Sequence, residues 1–318
     1  MANISHQVIQ VSGDIGRIFG LAGYYSECDK MQRVVVATTD GTLHEIHWNW
    51  HIHLFSYRPL LRSPGSAPVQ FTGIHSLSGF YTSDDNNQHV IVATGDGRLH
   101  EVYYTDPEHV SVRSPLFQLP TTAGPPIGQA GFYDFNDTMR TVTVGGADSI
   151  LYEVSWNAQV TPTANNLLNQ FTLSDVAGIA GFYDLSFLSG GVPFVSENII
   201  VAMKNGEVYD VRHEGTISGG GQDTTDLVTT FSPPLVNVAA FVETDTHRRH
   251  VIALHASGQL HDYSYTPQQV FGQNSLVSIP NVADIVAYYS AYDSTCHVIA
   301  GTREEHGKLH EVYYNFRD

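Results

Sequence analysis

The chain has 318 residues, 42% hydrophobic and 11% aromatic, enough apolar material for a sizeable core. Fifteen basic residues against 32 acidic ones give a formal charge of −17, which repels polyanions and excludes nucleic acid and anionic membrane surfaces as partners. No basic-then-apolar leader opens the sequence (Met1-Ala2-Asn3-Ile4-Ser5-His6), and no apolar run is long enough to span a bilayer. Membrane insertion is therefore not expected. The expected location is the cytoplasm, or the exterior by a route without a conventional signal peptide.

The first predicted element, Gln7-Val8-Ile9-Gln10-Val11, is a strand with no unit in front of it. Then one phrase recurs six times, about every 53 residues, the signature of a stacked supersecondary unit. Each unit opens with strand A, a small residue followed by aromatics: Gly23-Tyr24-Tyr25, Gly79-Phe80-Tyr81, Gly131-Phe132-Tyr133, Gly181-Phe182-Tyr183, Ala240-Phe241 and Ala287-Tyr288-Tyr289. Strand B is a β-branched run such as Val34-Val35-Val36 or Val90-Ile91-Val92, suited to a strand covered on both faces. Asp40-Gly41, Asp96-Gly97, Asn205-Gly206 and Ser257-Gly258 then predict tight two-residue hairpins. Strand C ends the phrase with Glu45, Glu101, Glu153, Asp210, Asp262 or Glu311 between aliphatic or aromatic residues. A variable strand D follows, as in Val110-Ser111-Val112 or Gln170-Phe171-Thr172. The sixth unit stops after its strand C, so the opening strand is expected to complete it and close a ring whose edges are all paired. The fold class is all-β: a single domain over 1–318, a six-bladed β-propeller of four-stranded blades.

Two-residue hairpins would set Ala37 opposite His44, Arg33 opposite Trp48 and His89 opposite Tyr104, with equivalents in the other units. Two columns result. The first is His44, His100, Tyr152, Tyr209, His261 and His310, each beside an acid on the opposite face of its strand, and it is expected to meet the acid column across each blade interface. Six copies suit architecture better than a catalytic site. One imidazole and one carboxylate are too few ligands for a tight metal site, so no metal and no cofactor are expected. On that reading, changing this column to Phe costs more stability than changes at His6 or His75.

The second column combines an aromatic ring (Trp48, Tyr104, Trp156, Tyr265, Tyr314, with His213 in the fourth unit) with a polar partner: Arg33, His89, Thr141, Asn198, His250 or His297. An acid precedes the partner in Asp29, Asp85, Asp137, Asp245 and Asp293. Ring, donor and carboxylate are what a protein needs to hold a sugar, and repetition would supply avidity. The alternative is that each Asp opens the A–B turn and the polar–aromatic pairs staple strands. Cys28 and Cys296 fall in corresponding connections of the first and last units; one bridge and two free thiols both stand.

The chain resembles the sugar-binding β-propeller lectins of fungi and bacteria. The fungal fucose-specific type is six-bladed, of similar length, and binds between blades through an aromatic, an Arg and a Glu. That resemblance spans the whole chain in architecture and implies a multivalent glycan-binding protein without catalysis. The family's recurring Arg is not reproduced, since only Arg33 and Arg98 fall in neighbouring hairpins. Two other functions stand beside it: an enzyme with one site at the central channel, or a protein-interaction scaffold. The strand A segments are mostly small or apolar, and neither a Gly-x-Ser-x-Gly elbow nor a His-Glu-x-x-His pair is present. The fourth unit departs most from the pattern, with an irregular connection from Leu188 to Glu197 and Gly-rich loops at 189–191 and 219–223.

Overall fold

A computed structural model of the chain describes residues 3–9, 14–26, 31–49, 54–134, 138–148, 150–157, 160–166, 175–187, 193–216 and 222–315. It holds six four-stranded antiparallel sheets. In chain order the strands A to D of blade one are Ile18–Ser26, Met31–Thr38, Leu43–Asn49 and Leu54–Pro59. Blade two has Ile74–Tyr81, Gln88–Thr94, Arg98–Tyr104 and Ser111–Gln118. Blade three has Pro126–Asp134, Met139–Gly146, Leu151–Trp156 and Thr163–Asn166. Blade four has Val176–Phe187, Pro193–Met203, Glu207–Thr216 and Gln222–Thr230. Blade five has Leu235–Val242, Arg249–His255, Gln259–Thr266 and Gln269–Ser278. Blade six has Val282–Ser290, Thr295–Thr302 and Leu309–Asn315, and takes Asn3–Ile9 as its outer strand.

That last pairing runs antiparallel from Asn3 opposite Asn315 to Ile9 opposite Leu309, and closes the ring as the sequence predicts. The six A strands pack side by side in a closed cycle around the central axis. Strand B is buried along its length, with Val34, Val35 and Val36 all at 0% exposure, because both of its faces meet a neighbouring blade. The hydrophobic clusters accordingly lie between blades: one joins Ala22, Val35 and Leu43 of blade one to Leu77, Val90 and Tyr104 of blade two.

One expectation about the hairpins is overturned. The observed register sets Ala37 opposite Leu43, Val36 opposite His44, Val35 opposite Glu45, Arg33 opposite His47 and Gln32 opposite Trp48. Every B–C pair is one residue away from the predicted one, in blade two as well, where His89 faces Tyr103 and Gln88 faces Tyr104. The cause is the turn. Gly41 N donates to Thr38 O at 2.8 Å and Gly41 has φ +86°, so the loop holds three residues, a type I turn followed by a glycine in the left-handed region. A Cβ at Gly41 would also sit 1.8 Å from Phe71 O, so this glycine is required twice over. Asp-Gly serves a two-residue loop and this one equally well, and a one-residue slip exchanges every face assignment.

Two further differences concern blades three and four. The outer strand of blade three is Thr163–Asn166, and the expected Gln170-Phe171-Thr172 lies outside the described residues. In blade four the outer part of the A–B hairpin is regular where it is described: pairing continues outward to Phe187 opposite Pro193. The Gly-rich stretches at 189–191 and 219–221 lie outside the described residues, as do Cys28, Asp29 and Asp137.

Candidate functional site

The observed register puts the polar residue of strand B and the acid of strand C on the same face of each blade, and in blades one, two, five and six they meet directly. His89 Nδ1 lies 2.9 Å from Glu101 Oε1, His250 Nδ1 3.0 Å from Asp262 Oδ1, and His297 Nδ1 2.9 Å from Glu311 Oε1. Arg33 Nη1 reaches Glu45 Oε1 at 3.5 Å. The aromatic ring of the following blade then caps the acid across the interface. Trp156 Nε1 donates to Glu101 Oε1 at 3.0 Å, and the Tyr265 hydroxyl donates to Asp210 Oδ2 at 2.9 Å. Burial, then the Glu45 carboxylate, pushes the Tyr104 phenol well above its ordinary range; burial, then Asp262, does the same to Tyr314. Donor and acid in one blade, ring in the next, is thus the repeating interface unit.

The acids do meet rings of the neighbouring blade, but not the predicted ones. The first column lies at the turn end of the hairpin and stays within its own blade. His44 stacks on Tyr57 with centroids 5.0 Å apart, His100 Nδ1 lies 2.7 Å from Ser114 Oγ, and the Tyr152 hydroxyl donates to Asp148 at 2.6 Å. The faces of strand C are those expected, and what differs is the offset along the strand: the residue that crosses to the preceding blade's acid lies four positions further along strand C.

The second column's rings are buried: Trp48 and Tyr104 at 2%, Trp156 at 0%, Tyr265 at 7% and Tyr314 at 1%. None offers a free face to solvent. Arg33, His89, Thr141, Asn198, His250 and His297 are buried as well. The next blade also supplies a long polar side chain to most interfaces. The Gln88 amide, with its nitrogen facing the carboxylate, donates to Glu45 Oε2 at 2.7 Å while its oxygen accepts from Arg33 Nε at 3.1 Å. Arg140 donates to Asp85 at 2.6 Å, and Arg249 Nη2 donates to Asp184 at 3.1 Å. Asp85 takes the turn role: its Oδ1 accepts from Thr82 Oγ1 at 2.5 Å and from Asn87 N at 3.0 Å. Burial opposes its charge, but the bonds from His89, Thr82 and Asn87 outweigh burial and hold the carboxyl far below the usual range. Asp293 is likewise lowered against burial, chiefly by His297.

Two places carry chemistry that the residue pattern did not reveal. The first is the outward mouth between blades two and three. Glu101 gives Oε1 to His89 and Trp156, while Oε2 faces outward to Arg113 Nη1 at 3.6 Å. Arg113 stands on strand D opposite Glu101, and its side chain is 44% exposed. Half-buried Tyr103 lies on the same face, stacked on His89, which in turn stacks on Phe80. The sequence signal was Arg113 itself, but locating it needs the C–D register.

The second is the central channel, a cavity of about 620 Å³ lined by all six A strands. Each A strand carries one bulged residue beside the channel: Phe19, His75, Ile127, Ala177, Val236 and Ala283. Next to the bulge in blade six, Asp284 accepts from Leu21 N of blade one at 2.7 Å, from Ile285 N at 2.9 Å and from the Asn237 amide of blade five. Burial pushes its carboxyl up to about 6 despite those bonds. Both oxygens are engaged in tying three blades together.

No protein-family model and no curated protein matches the sequence. Solved structures do share the fold. AofleA from Arthrobotrys oligospora superposes with a TM-score of 0.65 at 14% identity, covering 98% of this chain and 87% of that one. SapL1 lectin, in complex with alpha methyl fucoside, gives 0.63 at 13%, covering 92% and 91%. An Aleuria aurantia lectin mutant in complex with Fucα1-6GlcNAc gives 0.57 at 12%, covering 92% and 96%. The resemblance read from the sequence therefore holds at the level of architecture.

Proposed function

We propose that this propeller binds carbohydrate at the mouths of its blade interfaces, without catalysis, and that the best-equipped mouth lies between blades two and three. The observation that carries the reading is the set at Glu101: an exposed guanidinium and a half-buried aromatic on one face, with the buried carboxylate directly behind them. Aromatic C–H stacking with paired donors and acceptors is how a protein grips a sugar. SapL1 and the Aleuria lectin, built on the same fold, are seen with fucosides, which makes fucose the first probe. Related mouths recur but differ in their donors, so binding is multivalent with unequal sites.

The test is a glycan array followed by calorimetry with alpha methyl fucoside and with any array hit. Arg113→Ala and Tyr103→Ala are expected to weaken binding at least tenfold at that site, while Thr39→Ala at the channel leaves it unchanged. A flat array with folded protein removes the reading.

A further inference from the structure

The interface between blades five and six differs from the others in a way that glycan binding does not use. Where strand B faces the preceding blade, the repeat carries Gln32, Gln88, Arg140 and Arg249, side chains long enough to reach across. Blade six has Cys296 there, opposite Tyr314. At the end of strand A, where blades two and six carry Thr82 and Ser290, blade five carries Glu243. A short thiol replaces a long arm, and a carboxylate replaces a hydroxyl.

The result is a convergence of three ligand types. Glu243 Oε1 lies 3.1 Å from His250 Nε2 and 3.6 Å from Cys296 Sγ, and the three ligand atoms all lie within 4.8 Å of one another. A tetrahedral zinc ion with bonds of about 2.0–2.3 Å spaces its N, O and S ligands by about 3.3–3.6 Å. All three residues are buried. The outer support is present too. Asp262 accepts from His250 Nδ1 at 3.0 Å, which fixes the imidazole so that Nε2 points at Glu243 and Cys296, and Thr246 Oγ1 donates to Glu243 Oε2. A ligating histidine held by a carboxylate through its far nitrogen is the usual second layer of a zinc site.

We propose that Glu243, His250 and Cys296 hold one zinc-class divalent metal ion that staples blade five to blade six. The mixed N, O and S set suits a borderline-soft ion rather than calcium or magnesium. As the metal enters, the Sγ proton, and the Nε2 proton where present, leave to solvent; the fourth corner goes to water. Two ligands come from blade five and one from blade six, so the ion crosslinks strands that share no backbone hydrogen bond. The proposal is independent of sugar binding.

The experiment uses the full chain, expressed with zinc, desalted and assayed for metal content, then loaded with cobalt(II). One metal per chain and a near-ultraviolet thiolate-to-cobalt band are expected. Cys296→Ser should abolish the band and weaken zinc binding at least tenfold, Glu243→Gln should weaken it similarly, and Cys28→Ser should keep the band. Zinc should raise the melting temperature of the wild type but not of Cys296→Ser. Folded wild-type protein that takes no metal overturns the proposal. So does uptake without the cobalt–thiolate band, or uptake by Cys296→Ser equal to the wild type, which would mark an adventitious surface site.

Discussion

The two ends of the B–C hairpins carry the same side-chain types in opposite electrostatic settings. At the turn end His44, His100, His261 and His310 sit among rings and hydroxyls, and burial lowers the pKa of each. At the other end His250 and His297 are buried more deeply, and burial again lowers them. Yet Asp262 and Glu243 drive His250 up to about 9, and Asp293 and Glu311 raise His297. Partners decide the sign, and depth of burial does not. His250 is a cationic strut and His297 is shifted in the same direction, while those near the turns are neutral packing.

The largest expected effect comes from removing one strut. His250→Leu takes the imidazolium from the buried carboxylates of Asp262 and Glu243, which costs about 3–5 kcal/mol. His261→Leu at the turn end should cost less than about 1 kcal/mol. Equal urea midpoints for the two variants would erase the distinction between the columns. Trp156→Phe comes next: it takes the indole donor from Glu101 and should cost about 1–3 kcal/mol in the same assay.

The pH dependence sharpens the comparison. His250 titrates near 9 when folded against an ordinary value of 6.5, so its contribution is whole below pH 6.5 and is lost as pH climbs through about 9. The lowered turn-end histidines act in the other direction: the unfolded chain binds more protons, and stability falls as pH drops below 6.5. Asp284, raised to about 6, opposes that acid limb, because its folded form is the better proton acceptor between pH 4 and 6. Urea titrations with chelator present, from pH 5 to 10, should show a dome. A curve flat from pH 7 to 10 would contradict the struts. Tyr152→Phe, like His261→Leu, lies at the small end: it removes a part-buried bond to Asp148 and should cost about 0.5–1 kcal/mol.

The architecture was legible because its signals are local and repeated: Gly-aromatic strand A, β-branched strand B, Asp-Gly turn, acid-bearing strand C. The pairing was not, because Asp40-Gly41 fits either of two loop lengths and both place Gly41 at positive φ; the bond from Gly41 N to Thr38 O tells them apart. That single residue of slip paired Arg33 with Trp48 when it faces His47, while the column that reaches the acids is set by the offset between neighbouring blades, which no hairpin encodes. Arg113 escaped notice because strand D is variable and its register to strand C shifts between Leu99 and Glu101. Glu243 and Cys296 belong to different blades, and nothing in a linear chain shows which end of strand A meets which strand B.

The closure of blade six has a kinetic consequence. His6 and His310 touch although 304 positions separate them, and the whole opening strand depends on partners that distant. Five blades can assemble from near neighbours, but the sixth sheet waits until the first segment finds the last. Such distant encounters are slow to form. Forced unfolding should therefore begin where that seam parts, and a mechanical pull on the first residues should release the sixth sheet before any other.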